Sequence, residues 1–333
     1  MNSTRAVAAI AVFSAVMGAA PASANETDNF TCRTRFLRDA TAAIDALVNA
    51  SIERAIARAN SRRAGCDAGC LIRLLQDEVG RSTLHPLTFV PHAALAGAIR
   101  RTPEVDRCHL AFRDTIYGAR AYNQPWRYPF LGRIIFVADS IRLGGRLVGL
   151  DKVEHFVREG LDQWRVMRRD GVAAAAALQR EQGKPGRGLA WTEYGVKGMA
   201  LTGVFSYADL AAGYAGYQFW SDLLSVGHTG SFVAGGGRTG YVLQRRFSFS
   251  SYVTDAWDEA INCSTFHPDL GKEVAAALEK RGLRCPVAAC HHLAALPDAP
   301  LYVNPACLAA DAWLAEAASV ATVRRRPAER AQS

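Results

Sequence analysis

Residues 140–156 read SIRLGGRLVGLDKVEHF, and this stretch decides the fold class. Two short runs rich in aliphatic residues, 140–143 and 146–149, flank Gly144-Gly145. A two-residue glycine loop between such runs is a strong β-hairpin signal, because glycine supplies the positive φ that the tight turn needs. Asp151 with Glu154 three positions on is a variant of the capping box and predicts a helix over 152–169. Val153, Phe156, Val157, Leu161 and Trp164 fall on one face of that helix.

Outward from there, helical periodicity dominates. It predicts helices over 34–59, with Phe36 on the apolar face, and over 71–79, 92–101 and 172–182. Ser206-Tyr207-Ala208-Asp209 is a second capping box and opens an aromatic helix to about residue 224. A short helix is expected over 251–262, with strands over 134–137 and 241–249. The glycine-rich segments 183–188 and 227–240 read as loops. The fold class is therefore mainly α with a small β-hairpin element.

Half of the 333 residues are apolar and 21% are charged, which excludes a disordered chain. Beyond the N-terminus no apolar run approaches the ~18–20 residues that cross a bilayer, so no stable membrane anchor is expected. Arg5, the apolar stretch 6–17 and Ala22-Ser23-Ala24 form the pattern of a secretory signal peptide. Cleavage near Ala24 predicts a periplasmic or secreted mature chain.

Export changes the meaning of the eight cysteines. Cys32, Cys66, Cys70 and Cys108 form one set of four. Cys263, Cys285, Cys290 and Cys307 form another, beyond a cysteine-free stretch at 109–262. In an oxidising compartment the simplest reading is two local disulfides within each set, rather than zinc ligation. The expected organisation is a signal peptide (1–24) and one mostly helical domain (25–310), followed by a helix end and disordered basic tail (311–333). Within the domain, disulfide-containing flanks (25–108 and 263–310) bracket a motif-bearing middle (109–262).

Thirty-nine basic residues against 31 acidic give a net charge of +8, reduced by one when Arg5 leaves with the leader. Only Lys152, Lys184, Lys197, Lys272 and Lys280 are lysines; the rest are arginine. Arginine forks suit carboxylates and phosphates, so that balance fits an anionic envelope polymer or a phospholipid surface. Nucleic acid is not an expected partner, since no recognition motif is present. Serine-elbow, P-loop and dinucleotide fingerprints are absent as well, so acyl and phosphoryl transfer have no support.

Glu193 is placed where a short helical segment gives way to a glycine-rich turn, with Trp191 and Tyr194 beside it. Burial there raises a carboxyl pKa, which is what a general acid needs near neutral pH. Asp209, in the first turn of its helix, and Asp258 and Glu259 are candidates for a second catalytic carboxylate. Tyr207 and Tyr214 belong to an aromatic stripe that can line a groove. Asp151 and His155, at i and i+4, share a helix face and are candidates to meet a substrate. They match no established metal motif, and no cofactor or metal is expected.

The segments DKVEHF (151–156), TGVFSYADLAAGYAGYQFW (202–220) and YVTDAWDEAINCS (252–264) resemble an exported lysozyme-like family of bacteria that includes lysozymes acting on deacetylated peptidoglycan in predatory species. The resemblance spans roughly 134–263. It implies a lysozyme-like fold, a glycan substrate and Glu193 as the acid. The helix before Glu193 is shorter than that fold prefers, because glycine and proline occupy 183–188. The leading expectation is a cell-wall glycan hydrolase. The alternatives are a non-catalytic envelope protein that binds glycan, lipid or protein, and a metal-dependent hydrolase that uses His155.

Overall fold

In a computed structural model the described residues are 25–62, 65–84, 91–118, 136–184, 192–195, 197–200, 202–225, 231–236 and 240–309. The expected leader, the basic tail and all of 185–191 lie outside them. The elements run β1 (Asn25–Thr27), α1 (Asn29–Cys32), α2 (Thr41–Asn60), α3 (Ala68–Val79), β2 (Ser82–Leu84), β3 (Pro91–Ala93) and α4 (Ala94–Arg101). Next come β4 (Phe136–Ala138), β5 (Ser140–Leu143), β6 (Arg146–Gly149), α5 (Leu150–Glu154), a π turn (His155–Glu159), α6 (Gly160–Asp170) and α7 (Ala174–Gln182). The chain continues with β7 (Val204–Phe205), α8 (Tyr207–Leu224), β8 (Val233–Gly235), β9 (Tyr241–Leu243), β10 (Thr265–Phe266) and α9 (Pro268–Glu279). The protein is mainly helical, and its strands form short two-stranded pairs. No helix among the described residues is long and apolar enough to cross a membrane.

The hairpin forms as expected. Ser140 pairs with Gly149 and Leu143 with Arg146, and Gly144 and Gly145 take φ of 60° and 76° at its tip. The helix after it starts differently. Gly149 is its N-cap, and Asp151 sits inside the first turn with its carboxylate turned to its own neighbour's N–H and to Thr27. The Asp151–Glu154 pair is therefore not a capping box.

Three further expectations are corrected. The first long helix begins at Thr41 rather than residue 34, because the preceding segment is drawn to the hairpin. The Ala40 N–H donates to Arg142 O at 2.8 Å, and the Asp39 carboxylate accepts from the N–H groups of Thr41 and Gly145. Phe36, expected on the buried face, is 90% exposed. Over 251–262 there are tight turns, not an α-helix. There Asp258 binds the Ala260 N–H, while the Asn262 carboxamide donates to Ala256 O and Tyr302 O. Such side-chain bonds offer the backbone an alternative to a helical ladder. The strand expected over 241–249 is confined to Tyr241–Leu243.

The main core joins α2, α3, the hairpin, the 150–170 segment and α8. Its centre is an aromatic cluster in which Phe156 contacts Phe219, Phe249, Tyr252 and Trp257, with ring centroids 5.0–5.6 Å apart. A smaller core packs α9 against Phe30, Tyr117 and Val204. Close approach of the 150–170 segment to α8 depends on two glycines. A Cβ at Gly216 would fall 1.9 Å from Phe156 O, and one at Gly160 would fall 2.4 Å from the Gly216 backbone.

Both cysteine sets close internally, as Cys32–Cys108 with Cys66–Cys70 and as Cys263–Cys285 with Cys290–Cys307. The flanks do more than clamp the middle. β1 pairs in parallel with β4, and Glu26, Thr27 and Asn29 all bond into the middle segment.

Candidate active site

α8 crosses the 150–170 segment where Gly216 meets Phe156 and Gly160, and the polar side chains just N-terminal to that crossing converge. Ser206 caps α8 as expected, its Oγ accepting the Asp209 N–H at 3.2 Å. In a complete capping box Asp209 would return the favour by accepting the Ser206 N–H. Here Glu193 Oε1 takes that N–H at 2.8 Å. Asp209 is thereby released to face the opposite helix. Its Oδ2 lies 3.2 Å from His155 Nε2, and its Oδ1 pairs with Lys152 Nζ.

Lys152 is fully buried. Its ammonium contacts Asp151 Oδ2 at 2.8 Å and pairs with Glu259 as well as Asp209. A compact point charge fits among three carboxylates where a planar guanidinium would not. On the other side of Asp209, His155 is held between two carboxylates, with Nδ1 2.8 Å from Glu159 Oε2. The π turn carries both His155 and Glu159; such wide turns recur at functional sites. Lys197 continues the chain of contacts, 3.1 Å from Glu159 Oε1 and paired with Glu181. Glu26, from β1, accepts the Thr202 hydroxyl at 2.6 Å at the edge of the same cluster.

The electrostatics follow from counting. Seven carboxyls (Glu26, Asp151, Glu159, Glu181, Glu193, Asp209 and Glu259) meet three cations, Lys152, His155 and Lys197. Burial opposes every charge there. For Lys152 and His155 the neighbouring carboxylates outweigh burial and raise both pKa values well above the ordinary ones. For Asp209, burial is outweighed by His155 and Lys152, and its carboxyl is held below the usual range. Glu159 is likewise held down by His155 and Lys197. The four carboxyls in excess absorb the imbalance. Burial pushes Glu181 and Glu259 up to about 7. Burial, with the charge of Asp209, pushes Glu193 well above the carboxylate range, and burial with Glu259 does the same to Glu26.

The structure thus brings together Glu193, Asp209, Glu259, Asp151 and His155. Asp258 stands apart, tied to Arg33, to Asn29 at 3.2 Å and to the Ala260 N–H at 3.0 Å. The two tyrosines are also elsewhere. Tyr207 packs edge-on against Phe205, and Tyr214 stacks on Tyr302 and donates its hydroxyl to Asp298. Asp151, His155 and Asp209 offer ligand atoms within 4.8 Å of one another, the spacing a metal would need. The Lys152 ammonium already contacts two of the three.

Lys152, Glu159, Glu181, Lys197 and Glu26 were not singled out from the sequence. One signal pointed to two of them: Lys152 and Lys197 are among only five lysines in an arginine-rich chain. Comparison with family models, curated proteins and solved structures finds no match to this chain.

Proposed function

We propose that the chain is an exported glycan hydrolase that cleaves peptidoglycan or a related amino-sugar polymer by lysozyme-like acid catalysis. One observation carries this reading: Glu193 and Asp209, anchored at the same helix start through Ser206, are pushed toward opposite protonation states. Divergent environments around paired carboxyls are the signature of an acid and its ionised partner. In this role Glu193 donates its proton to the glycosidic oxygen as the bond to the anomeric carbon breaks. Asp209, kept anionic by Lys152 and His155, stabilises the developing oxocarbenium ion or orients the attacking water. Burial pushes Glu259 up to about 7, and Asp258 is tied to Arg33 apart from the cluster, which leaves Asp209, held below the usual carboxylate range, as the ionised second carboxyl. The four disulfides suit the oxidising compartment that the leader implies.

A second reading has its own observation. Glu193 is only 2% exposed, so a glycan must displace what covers it before any proton moves. A non-catalytic envelope protein would use the same cluster purely to fix the crossing of the 150–170 segment with α8. Digestion of native and deacetylated peptidoglycan, with products read by mass spectrometry, separates the two. Wild type should release glycan fragments, and Glu193→Gln, which keeps the bond from Ser206, should be slower by at least about 100-fold. Equal rates refute the role of Glu193. A wild type inert on every glycan favours the second reading.

A further inference from the structure

Lined by none of the acid-cluster residues, a cavity of about 230 Å³ lies in the groove between α2, α3 and α4. Its floor is aliphatic, built from Leu47, Val79 and Leu95, and its rim carries Arg54, Arg81 and Arg101. Two of these guanidiniums are held in place. Glu78, nearly buried, accepts from Arg54 Nε at 3.2 Å and from Arg81 Nη2 at 3.3 Å, and also from Arg58 Nη1 at 2.7 Å. One carboxylate thus orients three guanidiniums, and Arg101 faces no carboxylate among the described residues. The cavity edge carries a surplus of positive charge, and among the described residues most of its guanidinium donors meet no acceptor beyond Glu78 and Ser51.

We infer that this cavity binds the C-terminal carboxylate of a peptide that ends in a small aliphatic residue. Planar guanidinium forks match a carboxylate, and orienting them before the ligand arrives lowers the ordering cost of binding. The floor decides the rest of the ligand. A bare inorganic anion leaves the aliphatic surface uncovered. A cavity of about 230 Å³, below the ~300–1,000 Å³ of drug-sized sites, matches one small residue better than a long acyl chain. A methyl-bearing terminal residue fills the floor while its carboxylate reaches the rim. The inference is independent of the hydrolase reading, since it draws on none of the acid cluster.

The test titrates N-acetyl-alanyl-alanine, in its L,L and D,D forms, into the full mature chain by NMR and calorimetry. The C-terminal amides and inorganic phosphate are run in parallel. One form of the free acid should bind with a Kd of about 1 mM, and its amide and phosphate should each bind at least about tenfold more weakly. Arg101→Gln, a change at an exposed position, should weaken the acid by about the same tenfold. Ala98→Leu, which fills the cavity from α4, should abolish binding without lowering Tm. The inference is overturned if neither form of the acid binds, if amide or phosphate binds as tightly as the acid, or if both variants bind like wild type.

Discussion

Two charged clusters in this protein solve the same problem in opposite ways. Around Lys152, seven carboxyls, all of them buried except the partly exposed Glu181, meet three cations, and the surplus acid is absorbed by protonation: Glu26 and Glu193 are raised well above the carboxylate range, and Glu181 and Glu259 sit near 7. Around Glu78, one nearly buried carboxylate meets three half-exposed arginines, and the surplus stays charged. A carboxyl can shed its charge when water is withdrawn, whereas a guanidinium with a pKa above ~12 cannot and must keep part of itself in water. An excess of acid can therefore be sealed inside the core. An excess of arginine has to stay at the surface, where it remains available to a ligand.

The sharpest way to break the inner cluster is to remove its central cation. Lys152→Met keeps the length and apolar stem of the side chain but leaves Asp151, Asp209 and Glu259 facing one another without their ammonium. Loss of one partner from a buried ion cluster costs about 3–5 kcal/mol. Urea denaturation at neutral pH should show a loss of this size. Part of it should be recovered in Lys152→Met/Glu259→Gln, which removes one of the stranded carboxyls. A loss below ~1 kcal/mol would mean that Lys152 is not what makes the cluster tolerable.

The next largest effect is the pH dependence of stability. Glu181 and Glu259, raised to about 7, keep their protons in the folded chain while the unfolded chain, with ordinary values near 4.5, releases them. Stability from these two groups is therefore present below about pH 4.5 and is lost as pH rises toward 7. His155 acts in the same direction, because its raised folded pKa means that its contribution is lost at higher pH. Asp209 and Glu159 act oppositely, and their contribution disappears only in stronger acid. Thermal melts should accordingly give a Tm that peaks in mild acid and declines from about pH 5 to 8. Each such proton contributes up to about 1.4 kcal/mol per pH unit. In Glu259→Gln the decline should be shallower; a flat wild-type profile would contradict the protonation assigned to the surplus acids.

How legible these clusters were in the sequence depended on the range of the interactions. The hairpin at Gly144-Gly145 and the Ser206 cap of α8 were readable because each is fixed by neighbours within a few residues. The start of the first long helix was misplaced because Asp39 and Ala40 bond to residues about 100 positions away. Glu193 and Asp209 were singled out, but the reason they belong together was hidden. Ser206 looked like half of a closed capping box, and only the fold shows Glu193 taking the bond that frees Asp209. Lys152 escaped notice because its partners Asp209 and Glu259 lie 57 and 107 positions on. A single lysine in the first turn of a helix looks like a surface charge until those partners are placed.

The smallest effect should come from the outer cluster, and its smallness is the point of the comparison. Arg58→Ala removes the shortest of the Glu78 contacts, yet Arg54 and Arg81 remain on the same carboxylate and Arg58 itself is half exposed. Half-exposed ion pairs contribute about 0–1 kcal/mol and are screened by salt. Arg58→Ala should therefore lower stability by less than about 1 kcal/mol in low salt, and the difference should vanish near 1 M salt. Because burial sets the cost of an unbalanced charge, Lys152→Met measured in the same two buffers should keep most of its penalty. If both variants lost their penalty in salt, the Lys152 cluster would have to be as open to water as the Glu78 cluster, contrary to its complete burial.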